Sequence, residues 1–181
     1  MLFPAGTTGN VLSRTLVKIL LFIITASTLS LPGQVDAAPR PGHPAPNFKV
    51  ISTTGQNISS ENFRNHVVIL DFFATWCQPC RLSIPHLVEM NRKYGKQGLH
   101  ILGLSLDEDG ERTVRLFADE LRINYPLALA GDTVTGDFSV RSVPIMYLID
   151  KKGNVAEVYR GYSNDKARSM EQAIKRLLAE K

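Results

Sequence analysis

His66-Val67-Val68-Ile69-Leu70-Asp71-Phe72-Phe73 runs without a break into Ala74-Thr75-Trp76-Cys77-Gln78-Pro79-Cys80-Arg81. The first half is apolar and β-branched, with one acid inside it. Such a run suits a central strand buried on both faces, most often in a parallel sheet. Past the cysteines, Ile84, Leu87, Val88 and Met90 recur at helical spacing, which predicts a helix over 78–94 ending at Gly95. A strand therefore delivers two cysteines, three residues apart, to the start of a helix.

Working outward, the proline-rich stretch 39–46 (Pro39, Pro41, Pro44, Pro46) reads as an extended lead-in without helix. Residues 47–52 alternate weakly and meet Thr54-Gly55-Gln56, a turn signal before a second short strand or loop. Ser59-Ser60-Glu61-Asn62 suits the cap of a short helical turn carrying Phe63. Residues 99–106 form a second buried strand. Residues 112–121 form an amphipathic helix with Val114, Phe117, Ala118 and Leu121 on one face. The apolar run 125–130 suits an added strand, and 136–140 a helical turn ending near Arg141. Residues 145–149 form a strand, Gly153-Asn154 a turn, and 155–162 the returning strand of a hairpin. A closing helix over 166–178 turns Met170, Ile174, Leu177 and Leu178 inward. This order predicts an α/β sandwich with a mixed central sheet.

The chain has 181 residues, 44% hydrophobic and 21% charged, which excludes disordered, collagenous and coiled-coil classes. Its net charge of +4 is small and scattered, so no nucleic-acid partner is expected. The basic pairs Lys151-Lys152 and Lys175-Arg176 read as solvated faces. Two cysteines are too few for a disulfide-stapled miniprotein or a four-cysteine zinc site.

Residues 1–37 read as a targeting segment. Arg14 and Lys18 precede an uncharged apolar stretch over 19–31, and Val35-Asp36-Ala37 offers small residues before Ala38. A membrane-spanning helix needs about 20 apolar residues. A cleaved signal peptide is thus the first reading and an uncleaved anchor the second. The remaining residues, 38–181, are long enough for one domain with a full core.

The cysteine pair carries the chemistry. Side chains three apart on a helix stand about 5–6 Å apart on one face, within reach of a disulfide. Cys77 lies where unpaired backbone N–H groups and the helix dipole favour an anion, which makes it the attacking thiolate. Cys80, one turn in, becomes the resolving thiol, and Pro79 fits the first turn because its missing N–H would be orphaned there. A purely structural disulfide explains less, since closing so short a loop stabilises by only about 2 kcal/mol. A metal site needs more ligands, and His43, His66, His86 and His100 have no ligand spacing to the cysteines. Neither metal nor other cofactor is expected. Asp71, six residues before Cys77, is a candidate proton acceptor for Cys80, because burial raises a carboxyl pKa toward the working range. The alternative is a strand-end residue reaching solvent.

The stretch from Val68 to Arg81 resembles the active-site strand and helix start of the thioredoxin superfamily. The Phe-Ala-Thr-Trp-Cys form and the lead-in Pro44, Pro46, Phe48 are similar to its extracytoplasmic TlpA/ResA-like branch. The resemblance runs from Arg40 to the C-terminus and implies a three-layer thioredoxin-like sandwich with an N-terminal extension. It supports the role of Asp71, although many members of the branch carry Asn there. It also implies a cis peptide at Val143-Pro144 facing the disulfide, with the Val143 backbone free to pair with an extended substrate. By the same resemblance Trp76 shields one side of the disulfide and Pro85 bends the helix. Ser83 departs from the acidic residue the branch often carries. Arg81 is either a cation favouring the thiolate or an exposed helix residue, and His86 reads as surface.

The implied activity is a thiol–disulfide oxidoreductase acting outside the cytoplasm on protein disulfides through Cys77 and Cys80. Gln78-Pro79 and Asp71 lean toward the reducing end, near the thioredoxin potential of about −270 mV. A periplasmic reductant draws electrons from a membrane-bound thiol donor, because that compartment is kept oxidising. Cytochrome c maturation is one such pathway known for the family. Rival readings are a copper(I) chaperone using the same cysteine pair and a disulfide-forming oxidant. Peroxide chemistry in the related fold uses a different cysteine context, absent here.

Overall fold

A computed structural model describes residues 38–180. The targeting-segment expectation for 1–37 lies outside the described residues. Among the described residues no helix is long and apolar enough to cross a membrane.

The 66–73 run forms strand β3, Val67–Phe73, and every residue in it is buried. Its neighbours are β4 (Leu99–Ser105), parallel on one side, and β6 (Ile145–Ile149), antiparallel on the other. The edge strands β5 (Leu127–Leu129) and β7 (Val155–Arg160) complete a mixed five-stranded sheet of order β5-β4-β3-β6-β7. Two faces must be covered, and β3 serves both because alternate side chains point opposite ways. Val67, Ile69 and Phe73 enter one core; Val68, Leu70 and Phe72 enter the other.

The first core is closed by α1 (Gln78–Tyr94), α2 (Glu111–Leu121) and α4 (Asn164–Ala179). The second is closed by α3 (Gly131–Asp137), Phe138, and a hairpin of β1 (Lys49–Ile51) and β2 (Asn57–Ser59) with Phe48. The result is the three-layer thioredoxin-like sandwich with its N-terminal extension. The proline-rich lead-in follows the start of β7, where Gly42 N–H donates to Val155 C=O and Val155 N–H to His43 C=O.

Most element ends fall within two residues of the sequence expectation, and two departures have a clear physical reason. Gly95 is right-handed and the backbone continues through a 3₁₀ turn; the left-handed stop is Gly98, at φ 103°. The helical turn assigned to 136–140 is the tail of α3, which begins at Gly131. Two glycines and two threonines give that segment poor helix propensity. It is helical because Val134 and Phe138 bury into the second core.

Candidate active site

β3 ends at Phe73, and α1 starts at Gln78, so the loop between them sits at the carboxyl end of the central strand. Cys77 is the N-cap of α1. Its Sγ is bonded to Cys80 Sγ, with the Cα atoms 5.3 Å apart. The two sulfurs are not equivalent. Cys77 keeps 5% of its surface and Cys80 none. The Cys80 backbone N–H, in the first turn, is shared between Cys77 C=O at 3.1 Å and Cys77 Sγ at 3.2 Å. A thiolate on Cys77 therefore meets a ready hydrogen-bond donor and the positive end of the helix.

The sequence expectation overlooked what holds this loop. Asp107, just after β4, accepts the Thr75 backbone N–H at 3.0 Å and the Thr75 hydroxyl at 2.6 Å. The Ser105 hydroxyl donates to the same carboxylate. Asp107 stands in the acidic run Asp107-Glu108-Asp109, which has the composition of a solvated loop. Only the tertiary structure turns it inward, since it is buried.

Asp71 is wholly buried, which removes the reading as a strand-end acid reaching solvent. By strand alternation its side chain lies on the face of Ile69 and Phe73, the same core that contains Cys77 and Cys80. Neither carboxylate oxygen has a hydrogen-bond partner, and burial pushes its pKa up to about 7. Opposite it, β4 presents Gly103 and β6 presents Met146.

The Val143–Pro144 peptide is cis. Pairing of Phe72 with Ile145 brings the start of β6 beside the end of β3, so Pro144 lies at the same end of the sheet as Cys77. Among the described residues neither the N–H nor the carbonyl of Val143 pairs with another backbone group.

Trp76, next to Cys77, is 71% exposed, whereas Thr75 before it is held inward on Asp107. Arg81 pairs with Glu120 of α2, and its guanidinium lies 5.1 Å from the Phe117 ring centroid. Ser83 is buried and donates its hydroxyl to Cys80 C=O at 3.1 Å, an internal bond that takes the place of an acid. Pro85 sits inside α1 without ending it. His86, expected at the surface, is half-buried, and its Nε2 has no partner. It lines a cavity of about 10 Å³ with Ser83, Met146 and Tyr159. A cleft of about 520 Å³ lies instead at the far end of the sheet, beside Phe63, Arg64 and Lys151, away from both cysteines.

Comparison with known proteins agrees with this geometry. The profile of the AhpC/TSA family matches residues 41–158. The thioredoxin-like protein YneN of Bacillus subtilis is 30% identical over 134 residues, covering 74% of this chain and 78% of its own. The thiol-disulfide oxidoreductase ResA of Bacillus cereus is 36% identical over 117 residues, 64% of this chain and 67% of its own. Among solved structures, a thiol:disulfide interchange protein of the thioredoxin family from Chlorobium tepidum superposes with a TM-score of 0.69 at 28% identity. It covers 79% of this chain and 100% of that one.

Proposed function

We propose that this chain, which belongs to the AhpC/TSA family of thioredoxin-fold proteins and is a thiol–disulfide oxidoreductase, reduces protein disulfides outside the cytoplasm through the Cys77/Cys80 dithiol. The observation that carries the reading is the asymmetric cysteine pair at the α1 N-terminus, with the Cys80 N–H directed at Cys77 Sγ.

The Cys77 thiolate attacks one sulfur of a substrate disulfide. An S–S bond forms between Cys77 and the substrate, and the other substrate sulfur leaves as a thiolate. Cys80 then gives its proton to the Asp71 carboxylate and attacks Cys77 Sγ. The mixed disulfide breaks, the second substrate thiol departs, and the Cys77–Cys80 disulfide closes. Substrate gains two electrons and the enzyme loses two. A membrane-bound thiol donor restores them in an oxidising compartment. Assembly of c-type cytochromes, where haem-binding cysteines are kept reduced, fits such a reductant. Exposed Trp76 and the unpaired Val143 backbone, at the Pro144 end of the sheet, offer an extended substrate an apolar face and a strand-like edge.

Insulin reduction with dithiothreitol as electron source tests the activity. The protein accelerates it and Cys77→Ser does not; equal rates would overturn the assignment. N-terminal sequencing of exported protein tests the compartment. A start near Ala38 fits a cleaved signal and an intact Met1 in the envelope fits an anchor, whereas retention in the cytoplasm contradicts both.

A further inference from the structure

Asp71 has a buried neighbour that the reaction scheme does not use. Tyr125, in the loop before β5, is buried, and its hydroxyl has no hydrogen-bond partner. Gly103 explains how the two come together. Gly103 is the register partner of Asp71 across the β3–β4 ladder, and its N–H donates to the carbonyl of Pro126, next to Tyr125. A Cβ built at Gly103 would stand 3.4 Å from Tyr125 Cε2. The Tyr125 ring thus packs in contact with the position a Gly103 side chain would take, beside Leu127 and Phe73, on the same face as Asp71 and one strand over. Tyr125 belongs to the core that holds Cys80, and strand alternation turns the buried Asp71 side chain toward that same core.

We propose that Tyr125 is a positioning residue for Asp71, its hydroxyl donating a hydrogen bond to the carboxylate whenever that carboxylate is ionised. The inference rests on the reading of Asp71 as proton acceptor. Two polar groups buried in one apolar core, each without another partner, gain more by meeting than by staying apart. The terminal torsion of an Asp side chain is broad, so the carboxylate turns toward a donor at small cost. The Tyr125 hydroxyl is itself held far from ionisation, by burial first and by the Asp71 charge second, so it remains a donor at every working pH.

Other groups around Asp71 do not serve. β4 presents Gly103 and β6 presents Met146, and neither titrates. α1 presents Cys80, the group whose proton Asp71 is to take. Tyr159 of β7, in the same core, gives its hydroxyl to Glu157. α4 contributes Met170, Ala173 and Ile174, and α2 contributes Val114 and Phe117. The charged pair Arg81–Glu120 lies at the exposed edge.

The test compares wild type with Tyr125→Phe and Asp71→Asn. The Asp71 carboxyl carbon is titrated by NMR in the oxidised protein, and decay of the mixed disulfide is followed by Trp76 fluorescence from pH 5 to 9. Tyr125→Phe keeps the ring and removes only the donor. The anion then loses support, so the Asp71 midpoint rises by about one pH unit. The resolving step slows about tenfold at pH 6 and converges with wild type at pH 9, while the first attack by Cys77 is unchanged. A midpoint within about 0.3 unit of wild type, with Asp71→Asn still abolishing the pH limb, overturns the Tyr125 inference and leaves Asp71 standing. An unchanged limb in Asp71→Asn overturns the proton-acceptor reading and this inference with it.

Discussion

Thr75 donates both its backbone N–H and its hydroxyl to the carboxylate of Asp107, at 3.0 and 2.6 Å, and so ties the loop that carries Trp76 and Cys77 to the end of β4. One side chain thereby sets the direction of three: Thr75 in, Trp76 out, Cys77 onto the cap of α1.

Asp107→Ala removes the acceptor and leaves the donors of Thr75 and Ser105 without their partner. The variant loses about 2 kcal/mol of stability, measured by urea unfolding, with Asp107→Asn falling between it and wild type. Its Trp76 emission also shifts on reduction less than in wild type, because the loop no longer holds one geometry.

Cys77→Ser has no disulfide reductase activity. Cys80→Ser accumulates a mixed disulfide with substrate, visible on a non-reducing gel, because the resolving thiol is gone. Alkylation of the reduced protein near pH 7 modifies Cys77 first, as the less buried of the two sulfurs and the one at the helix cap. Preferential labelling of Cys80 would exchange the two roles.

Asp71 makes stability depend on pH in a defined direction. Its pKa is 3.8 for the ordinary group and about 7 when folded, so the folded state binds the proton more tightly. The stabilisation this gives is complete below about pH 4 and is lost as pH rises to about 7, a change of about 4 kcal/mol. Urea unfolding of the oxidised protein at pH 5 and pH 8 shows about 3 kcal/mol of this fall in wild type. Asp71→Asn removes it and is the more stable of the two at pH 8.

Gly103→Ala places a Cβ 2.4 Å from Leu127 Cδ2 and 3.1 Å from Phe73 Cε1. Those side chains must shift, at a cost of about 2 kcal/mol read by thermal or urea unfolding. Leu127 and Phe73 pack beside Tyr125 and Asp71, so their shift slows the resolving step more than the first attack.

Much of this architecture was legible in local sequence. The 66–73 run could not reveal which of its residues face which core, because both faces are apolar, but it identified the central strand. The Cys77/Cys80 spacing at a strand–helix junction identified the site, since few other arrangements place two sulfurs on one helical turn. Asp71 stood out as a lone acid in an apolar run. What escaped was tertiary. Asp107 sits in an acidic run that reads as solvent-facing until Thr75 is folded over it. Tyr125 lies in an apolar stretch where an aromatic needs no comment, and its significance comes only from the register that sets Gly103 against Asp71. The exposure of Trp76 follows a loop whose preceding residue, Thr75, is tied inward by a contact 32 residues away. The start of α3 at Gly131 follows from Val134 and Phe138 packing under the sheet, which propensity does not register.

The equilibrium reduction potential of the Cys77–Cys80 disulfide tests the central claim most directly. Titration against glutathione and dithiothreitol buffers, followed through Trp76 fluorescence, gives it in one experiment. A reductant of protein disulfides lies near the thioredoxin value of about −270 mV. A potential near about −120 mV, that of a strong disulfide donor, would contradict the account.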